Sequence, residues 1–459
     1  MFISTLDIFK IGIGPSSSHT MGPMVAAVDF INRLKASAHQ LTDDTELQIR
    51  CTLKGSLAFT GKGHATDRAV ALGIHGYLPH SLTETDVKSL VATLWQPHKI
   101  VLNTGQSALF NPETDIIFDY GPPLPQHPNG LIIECFNSAQ QLIFSEIYFS
   151  IGGGFISTLA DIDQVEAPIK SEPAKNYPYP FNSADNMLAM SKQHGLSTAQ
   201  MKEINELTHM SVTELDRQLN TLWQAMKTCV ENGLKAEGIL PGGLKVKRRA
   251  KALYQQLIND TNHVNINDWL CTYAMAVNEE NADGHMVVTA PTNGAAGVIP
   301  SVLYHFMQHE NGTFEDVKTF LLTAAAIGGL IKHRSSISGA EVGCQGEVGS
   351  ASAMAAAALC AVKGGTVLQV EQAAEMALEH HLGMTCDPVK GLVQVPCIER
   401  NGFGAIKAFT AASLAIRESG EHIMSLDNCI EAMKKTGEEM SHKYKETSLG
   451  GLAVTWVEC

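Results

Sequence analysis

The stretch from Gly339 to Gly404 constrains this chain more than any other. It opens GAEVGCQGEVGSASA, closes GMTCDPVKGLVQVPCIERNGFG, and sets Cys344, Cys386 and Cys397 in Gly- and Pro-rich turns between helical runs. Gly343, Gly346, Pro388 and Pro396 lie close to these cysteines. The backbone there is therefore shaped to present a thiolate, whereas a cysteine kept for packing would lie on a helix stripe. With 41 and 10 residues between them, the three do not match a zinc ribbon, which takes its cysteines in pairs about two to four residues apart. They suit an iron-sulfur cluster, whose ligands are thiolates, with one iron left uncapped by protein. An open metal position is what separates a metal site that does chemistry from one that only holds a fold. Three loop cysteines with no shared ligand are the alternative that spacing alone leaves open.

Charge narrows the choice of partner. Against 33 Lys+Arg stand 47 Asp+Glu, a net charge of −14, which repels phosphate backbones and anionic lipid. The expected partner is a small polar metabolite, with no nucleic acid and no membrane. The opening MFISTLDIFKIGIG carries Asp7 and Lys10 inside its apolar run and offers no small-residue cleavage site, so a signal peptide is not expected. The longest apolar stretches, near Phe320 to Ile331 and Ala351 to Val362, fall short of the roughly 20 residues a membrane span needs. A soluble cytoplasmic protein is expected. Ten cysteines in 459 residues are too few for a disulfide scaffold, and a reducing cytosol favours metal binding or burial. Cys51, Cys135, Cys229, Cys271, Cys360 and Cys429 sit within apolar periodic runs and read as core.

Periodicity divides the chain. Up to about Asp163 helices and strands mix: Met24, Ala27, Val28, Ile31 and Leu34 make a helical stripe, whereas Leu47, Ile49, Cys51 and Leu53 alternate as a strand does. Further helices are expected from Thr66 and over Asp86 to Trp95. Alternation returns around Ile100, Ile116 and Ile132 and from Leu142 to Ile151, before the turn at Gly152, Gly153 and Gly154. Residues 1–163 thus read as an α+β domain. Residues 164–182, with Pro168, Pro173, Pro178 and Pro180, read as a stiff linker. From Ser183 to the end, 183–459, the period is helical. Ser211 and Glu214 make a capping box, and helices are expected from Trp269, Val298, Phe314, Ser350, Val370, Ala405 and Leu426. The expectation is an all-α catalytic domain with the cysteine loops at its helix ends.

Two loops other than those of the cysteines have the physics of a substrate site. PSSSHT places Ser16, Ser17, Ser18, His19 and Thr20 ahead of a helix, where hydroxyls and free N–H groups attract a carboxylate; the alternative is a simple capping turn. TAPTNGAAG places Thr292, Asn293 and Gly294 before the helix expected at Val298, and Asn293 suits either a ligand contact or a left-handed turn. His127 and Asn129, in PPLPQHPNG, are weaker candidates for the same role.

Taken together, the cysteine segments, PSSSHTMGP from Pro15, GSLAFTGKGHATDRA from Gly55 and TAPTNGAAGVIP from Thr289 resemble the bacterial single-chain iron-sulfur L-serine dehydratases over nearly the whole length. The resemblance implies conversion of L-serine to pyruvate and ammonia with a 4Fe-4S cluster and no pyridoxal phosphate. It also implies Cys344, Cys386 and Cys397 as ligands, and a homodimer. For the catalytic base it implies His64, flanked by Gly61 and Gly63, with His19 next in line. The chemistry needs both parts, since hydroxide leaves poorly without a Lewis acid and an α-proton is weakly acidic without a positioned base. The final residue, Cys459, carries a β-sulfur and a free α-carboxylate on one carbon, as serine carries a β-oxygen and a carboxylate, and is expected to cap the fourth iron at rest. A pyridoxal-phosphate dehydratase would need a Schiff-base lysine. Lys332, in LIKHRSS, is the available one. A structural or oxygen-sensing iron-sulfur or zinc protein is the non-enzymatic alternative.

Overall fold

The computed structural model describes residues 2–37, 46–102, 106–162, 177–259 and 264–455. Cys459 and most of the Pro-rich stretch lie outside the described residues. The N-terminal part is built on strands β2 (Glu46–Gly55), β3 (His98–Val101), β4 (Ser107–Phe110), β5 (Ile116–Asp119), β6 (Asn129–Phe136), β7 (Leu142–Ser150) and β8 (Ile156–Thr158). Their order is β3-β4-β2-β6-β7-β8; β5 pairs with β2 in parallel beyond the point where β4 stops. Alternation in β2 and β6 puts Leu47, Ile49, Cys51, Leu53, Leu131, Ile133 and Cys135 in one buried cluster. The helices Gly22–Ser37 and Thr66–Ile74 close that cluster with Ala27, Phe30, Ile31 and Leu34, and with Val70, Ala71 and Ile74. Gly152, Gly153 and Gly154 all take positive φ in the turn after β7, as a chain reversal without Cβ atoms allows.

The C-terminal part is largely helical and wraps around Ser350–Val362. That helix, SASAMAAAALCAV, is buried from Ser350 to Cys360 and so lacks a polar face. Helices Val298–His309, Phe314–Arg334, Val367–Glu379 and Cys397–Ala415 pack around it. The two bodies are joined at the very start of the chain. Strand β1 (Lys10–Ile13) pairs antiparallel with β9 (Met286–Thr289), a strand inside a region whose period reads as helix. Ile3, Ile8 and Phe9 belong to the helical core rather than to the sheet's. Full burial of Ile8 and Phe9 stabilises this attachment by roughly 2 kcal/mol each. Lys202 and Glu206 bind it further: the Lys202 ammonium donates to the Ile3 carbonyl, and Ser4 Oγ donates to Glu206 Oε2 at 2.8 Å. Among the described residues no helix is long and apolar enough to cross a membrane.

Candidate active site

Attachment of the first strand brings the loop that follows it, Gly14 to Met21, onto the cysteine region. Ser17–Met21 is a π-helical turn running into Gly22–Ser37, with Ser16 as its N-cap accepting from the His19 N–H at 3.1 Å. A second π-helical turn, Gln345–Gly349, follows Cys344 and runs into Ser350–Val362. Such turns are rare and cluster at functional sites. Between them lies a chamber lined by Ser16, His64, Gly294, Cys344, Glu347, Cys386, Cys397, Arg400 and Glu446, among others.

Two groups of ligand-type side chains face this chamber. In one, the ligand atoms of Cys344, Glu347 and Cys386 lie within 4.8 Å of one another, and Glu347 Oε2 is 3.8 Å from both sulfurs. Cys397 opens the helix Cys397–Ala415, so its sulfur stands at the positive end of a long helix. All three thiols are buried, not presented to solvent as their glycines and prolines suggest. The reason is that the glycines serve close approach. A Cβ on Gly339 would lie 2.8 Å from Glu347 Oε2 and 3.1 Å from Cys386 Sγ, and one on Gly294 2.8 Å from Glu347 Oε1. The hydrogen bond with Cys344 and burial hold the Cys386 thiol well above its usual range, and burial does the same for Cys397. Burial pushes the Glu347 carboxyl up as well. Thiols in this state stay protonated unless a bound cation replaces the proton. Arg400 supplies a fixed positive charge: burial works against its ionisation, but the negative charge of the three cysteines as thiolates, together with Asp387, holds the guanidinium above its ordinary value. Its Nη1 donates to the Thr385 carbonyl at 2.7 Å. Three soft sulfurs, a cradle that a Cβ would fill and a helix N-terminus fit a thiolate-bound metal centre.

The other group is His19, His64 and Glu446, whose ligand atoms also lie within 4.8 Å of one another. The two rings are 4.5 Å apart, tilted by 49°. His19 is tied on both sides: Nδ1 is 2.9 Å from Ser18 Oγ, and Nε2 is 3.0 Å from both Ser56 Oγ and Thr60 Oγ1. Ser56 Oγ donates to the Glu446 carbonyl at 2.7 Å and Thr60 Oγ1 reaches it at 3.1 Å, so Nε2 is left to donate to them and Nδ1 to accept from Ser18. Burial lowers the His19 pKa to about 4, and burial with His19 beside it lowers that of His64 well below the usual value. Both rings are neutral near pH 7. His64 Nδ1, by contrast, is buried without a partner, as is Glu446 Oε2. Glu446 links the two groups, since its N–H donates to the Cys386 carbonyl at 2.7 Å.

The remaining residues singled out in the sequence divide between the chamber and the framework. Thr20 Oγ1 donates to the His64 carbonyl at 2.7 Å. Asn293 is a strut: Nδ2 donates to the Ile13 carbonyl at 3.0 Å, Oδ1 accepts from Thr289 at 2.6 Å, and its N–H reaches Ser17 Oγ at 3.4 Å. Thr292 Oγ1 is buried without a partner. Gly294 accepts from Asn401 Nδ2 at 2.8 Å. His127 and Asn129 flank Pro128, whose carbonyl accepts from the Ser56 N–H at 3.0 Å, which sets them next to the histidine group. His127 Nε2 stands 3.5 Å from Glu341 Oε2, and Asn129 Nδ2 donates to the Ser150 carbonyl at 3.3 Å. Lys332 is elsewhere, its ammonium 4.1 Å from the centre of the Phe155 ring, and does not line the chamber. Glu347, Arg400, Ser56 and Thr60 were not singled out from sequence, although each lies inside a segment that carries the resemblance. Glu446 had no signal, because KETS is an ordinary surface string.

Two family models match the chain in succession. The family model described as Serine dehydratase beta chain matches residues 4–161, and that described as Serine dehydratase alpha chain matches residues 190–453. An L-serine dehydratase of Streptomyces coelicolor is 47% identical over 461 residues, covering 100% of both chains. One of Mycobacterium tuberculosis is 45% identical over 470 residues, again covering 100% of both, and the L-serine dehydratase TdcG of Escherichia coli is 44% identical over 457 residues, 98% of this chain and 99% of its own. With both parts matched in order and relatives aligned from end to end, the chain belongs to the serine dehydratase family.

Proposed function

We propose that this protein is an L-serine dehydratase, a lyase that removes water from L-serine to give pyruvate and ammonia. The observation that carries the reading is one chamber holding three convergent thiols on one wall and a neutral, unpartnered histidine on the other. Cys344, Cys386 and Cys397 would hold a 4Fe-4S cluster, which when bound supplies an uncapped iron as Lewis acid for the departing hydroxyl. The chain's own residues do the rest. His64, kept neutral by burial, takes the α-proton on a ring nitrogen, a step for which both nitrogens of His19 are already engaged. His19 is thus the holder rather than the base. It fixes Ser56 and Thr60 against the Glu446 carbonyl and packs the ring of His64. Ser16 and Gly294 line the chamber where a carboxylate or amine would sit, with Ser17, Ser18, Thr20, Thr292, Asn293, His127 and Asn129 shaping the loops around them. Burial of Ser16, His64, Glu446 and the three cysteines limits water at the reacting atoms, and the enamine that elimination leaves tautomerises to an imine, which water hydrolyses to pyruvate and ammonia.

The reading extends to the rest of the chain. Residues 1–163 form the substrate-binding and regulatory part, 164–182 the linker and 183–459 the catalytic part of a cytoplasmic homodimer, with Cys459 capping the cluster at rest. Anaerobic reconstitution with iron and sulfide, followed by a pyruvate assay on L-serine, tests the function. Brown protein that turns over serine and loses both colour and activity in air supports it. Reconstituted protein that binds iron yet forms no pyruvate overturns it.

A further inference from the structure

The histidine group of the chamber has the ligand set of a metal site of its own. His19, His64 and Glu446 are each no more than 3% exposed, and their ligand atoms lie within 4.8 Å of one another. Two of these side chains end in atoms that nothing in the fold satisfies: His64 Nδ1 and Glu446 Oε2 are buried without a hydrogen-bond partner. Among the described residues no lysine or arginine pairs with Glu446; its ion-pair contact is His19 Nδ1, 3.4 Å from Oε1. A buried polar atom left unpaired is costly, and a chamber that keeps two of them side by side is shaped for something that binds both.

The third member is held in the tautomer that a metal needs. His19 Nε2 donates to Ser56 Oγ and Thr60 Oγ1, whose own protons go to the Glu446 carbonyl, so Nδ1 carries no proton. A ligating histidine is fixed in this way, with its other nitrogen donating to an oxygen of the surrounding protein. Ser18 Oγ, which donates to Nδ1, has Ser16 Oγ at 3.3 Å and Glu446 Oε1 at 3.4 Å as other partners, so the Nδ1 lone pair can be released. The spacing suits an ion as well. Nitrogen and oxygen ligands about 2.0 to 2.2 Å from a tetrahedral zinc stand about 3.3 to 3.6 Å from one another, and the His19–Glu446 contact of 3.4 Å is already one such edge. Two imidazoles and a carboxylate are a zinc set with a fourth position open, unlike the three soft sulfurs of the opposite wall.

We propose that His19, His64 and Glu446 form a second metal site, for a single Zn2+ ion, and that this ion inhibits the enzyme by occupying the base. A ring that holds a cation through Nδ1 is too weak a base at Nε2 to take the α-proton. The inhibition rests on the function proposed above; the ligand set does not. To test both, reconstituted enzyme, whose cysteines are taken by iron, is titrated with Zn2+, freed of excess and analysed for the two metals. One zinc per chain should be retained beside undiminished iron. Turnover of L-serine should fall about a hundredfold at full loading, the contribution of a general base, and return on chelation. Zinc-edge X-ray absorption should show only nitrogen and oxygen neighbours at about 2.0 to 2.2 Å, where sulfur would stand at about 2.3 Å. Glu446→Gln and His64→Gln should each weaken zinc binding at least about tenfold. No retained zinc, equal retention by the parent and both variants, or sulfur among the zinc's neighbours would overturn the site. Zinc bound by these ligands with turnover within about twofold of the zinc-free enzyme would overturn the inhibition. A parent that forms no pyruvate overturns the function instead, and the zinc count, its neighbours and its loss in the variants then still decide the site.

Discussion

The two walls of the chamber are built on opposite plans. On the histidine wall, His19, Ser18, Ser56, Thr60 and the Glu446 carbonyl form a network whose members hold one another at 2.7 to 3.1 Å. On the cysteine wall, Cys344 and Cys386 face Glu347 at 3.8 Å through weak S–H donors. The first wall is organised by the fold itself. The second has ligands whose best partner is a cation, so its order is linked to metal binding. On the proposed function, the difference tells where a single substitution should act, on iron binding or on proton transfer, and each should be separable from the other.

The largest effect is expected on the cysteine wall. Cys344→Ala, Cys386→Ala and Cys397→Ala should each remove iron and activity together, read by metal analysis and a pyruvate assay after anaerobic reconstitution. Full iron and normal turnover in any one of them would dissolve the distinction between the walls. Next, His64→Ala should keep the parent's iron content and absorbance yet lose at least about a hundredfold in turnover, the usual contribution of a general base. A loss of only a few-fold, with α-deuterium exchange persisting, would move the base elsewhere. The smallest effect separates the walls through pH. His19 in the folded protein has its pKa lowered to about 4 by burial, so the unfolded chain takes up the proton first as pH falls. The stability it contributes is complete above about 6.5 and is lost on descending from there through about 4, by up to about 3 kcal/mol. Urea titrations of the metal-free protein across that range should show the slope in the parent and a shallower one in His19→Asn. Equal slopes would mean that the ring is not held neutral.

Local signals made most of the helical part legible. Val298, Phe314, Ser350 and Leu426 are the observed starts of their helices, because caps and periodicity are written in adjacent residues. Three expected starts fall late for identifiable reasons. Ile266–Asp283 begins at the Asn265–Asp268 capping box, ahead of Trp269. Val367–Glu379 begins at the Thr366–Gln369 capping box, ahead of Val370. The helix expected from Ala405 begins at Cys397, because Gly402 and Gly404 read as loop. Those glycines are packing residues: a Cβ on Gly402 would lie 2.9 Å from Cys271 Sγ, and one on Gly404 2.8 Å from Val348. The segments of the cysteines and of His64, which line one chamber, stand out in the sequence because reactive side chains mark them. Glu446 does not, since its role comes from a left-handed residue crossing between two distant loops, and neither partner is near it in sequence. The strands β1 and β9 were missed for the same kind of reason. Four residues each, they acquire their conformation from one another.

That pairing also sets an order of events during synthesis. Lys10 finds its partner at Thr289 and Ile13 at Met286, so the first strand leaves the ribosome long before its complement exists. At about 5 to 20 residues per second, the wait is on the order of tens of seconds. For that interval KIGI, with the apolar Ile8 and Phe9 before it, is an open edge of the kind that other nascent chains can capture. The sheet of the N-terminal part can close on its own strands in the meantime, but the loop bearing His19 cannot reach its working position until β9 has been made. A ribosome stalled between Thr158 and Met286 therefore holds every strand of the sheet beside a histidine wall that cannot yet be completed.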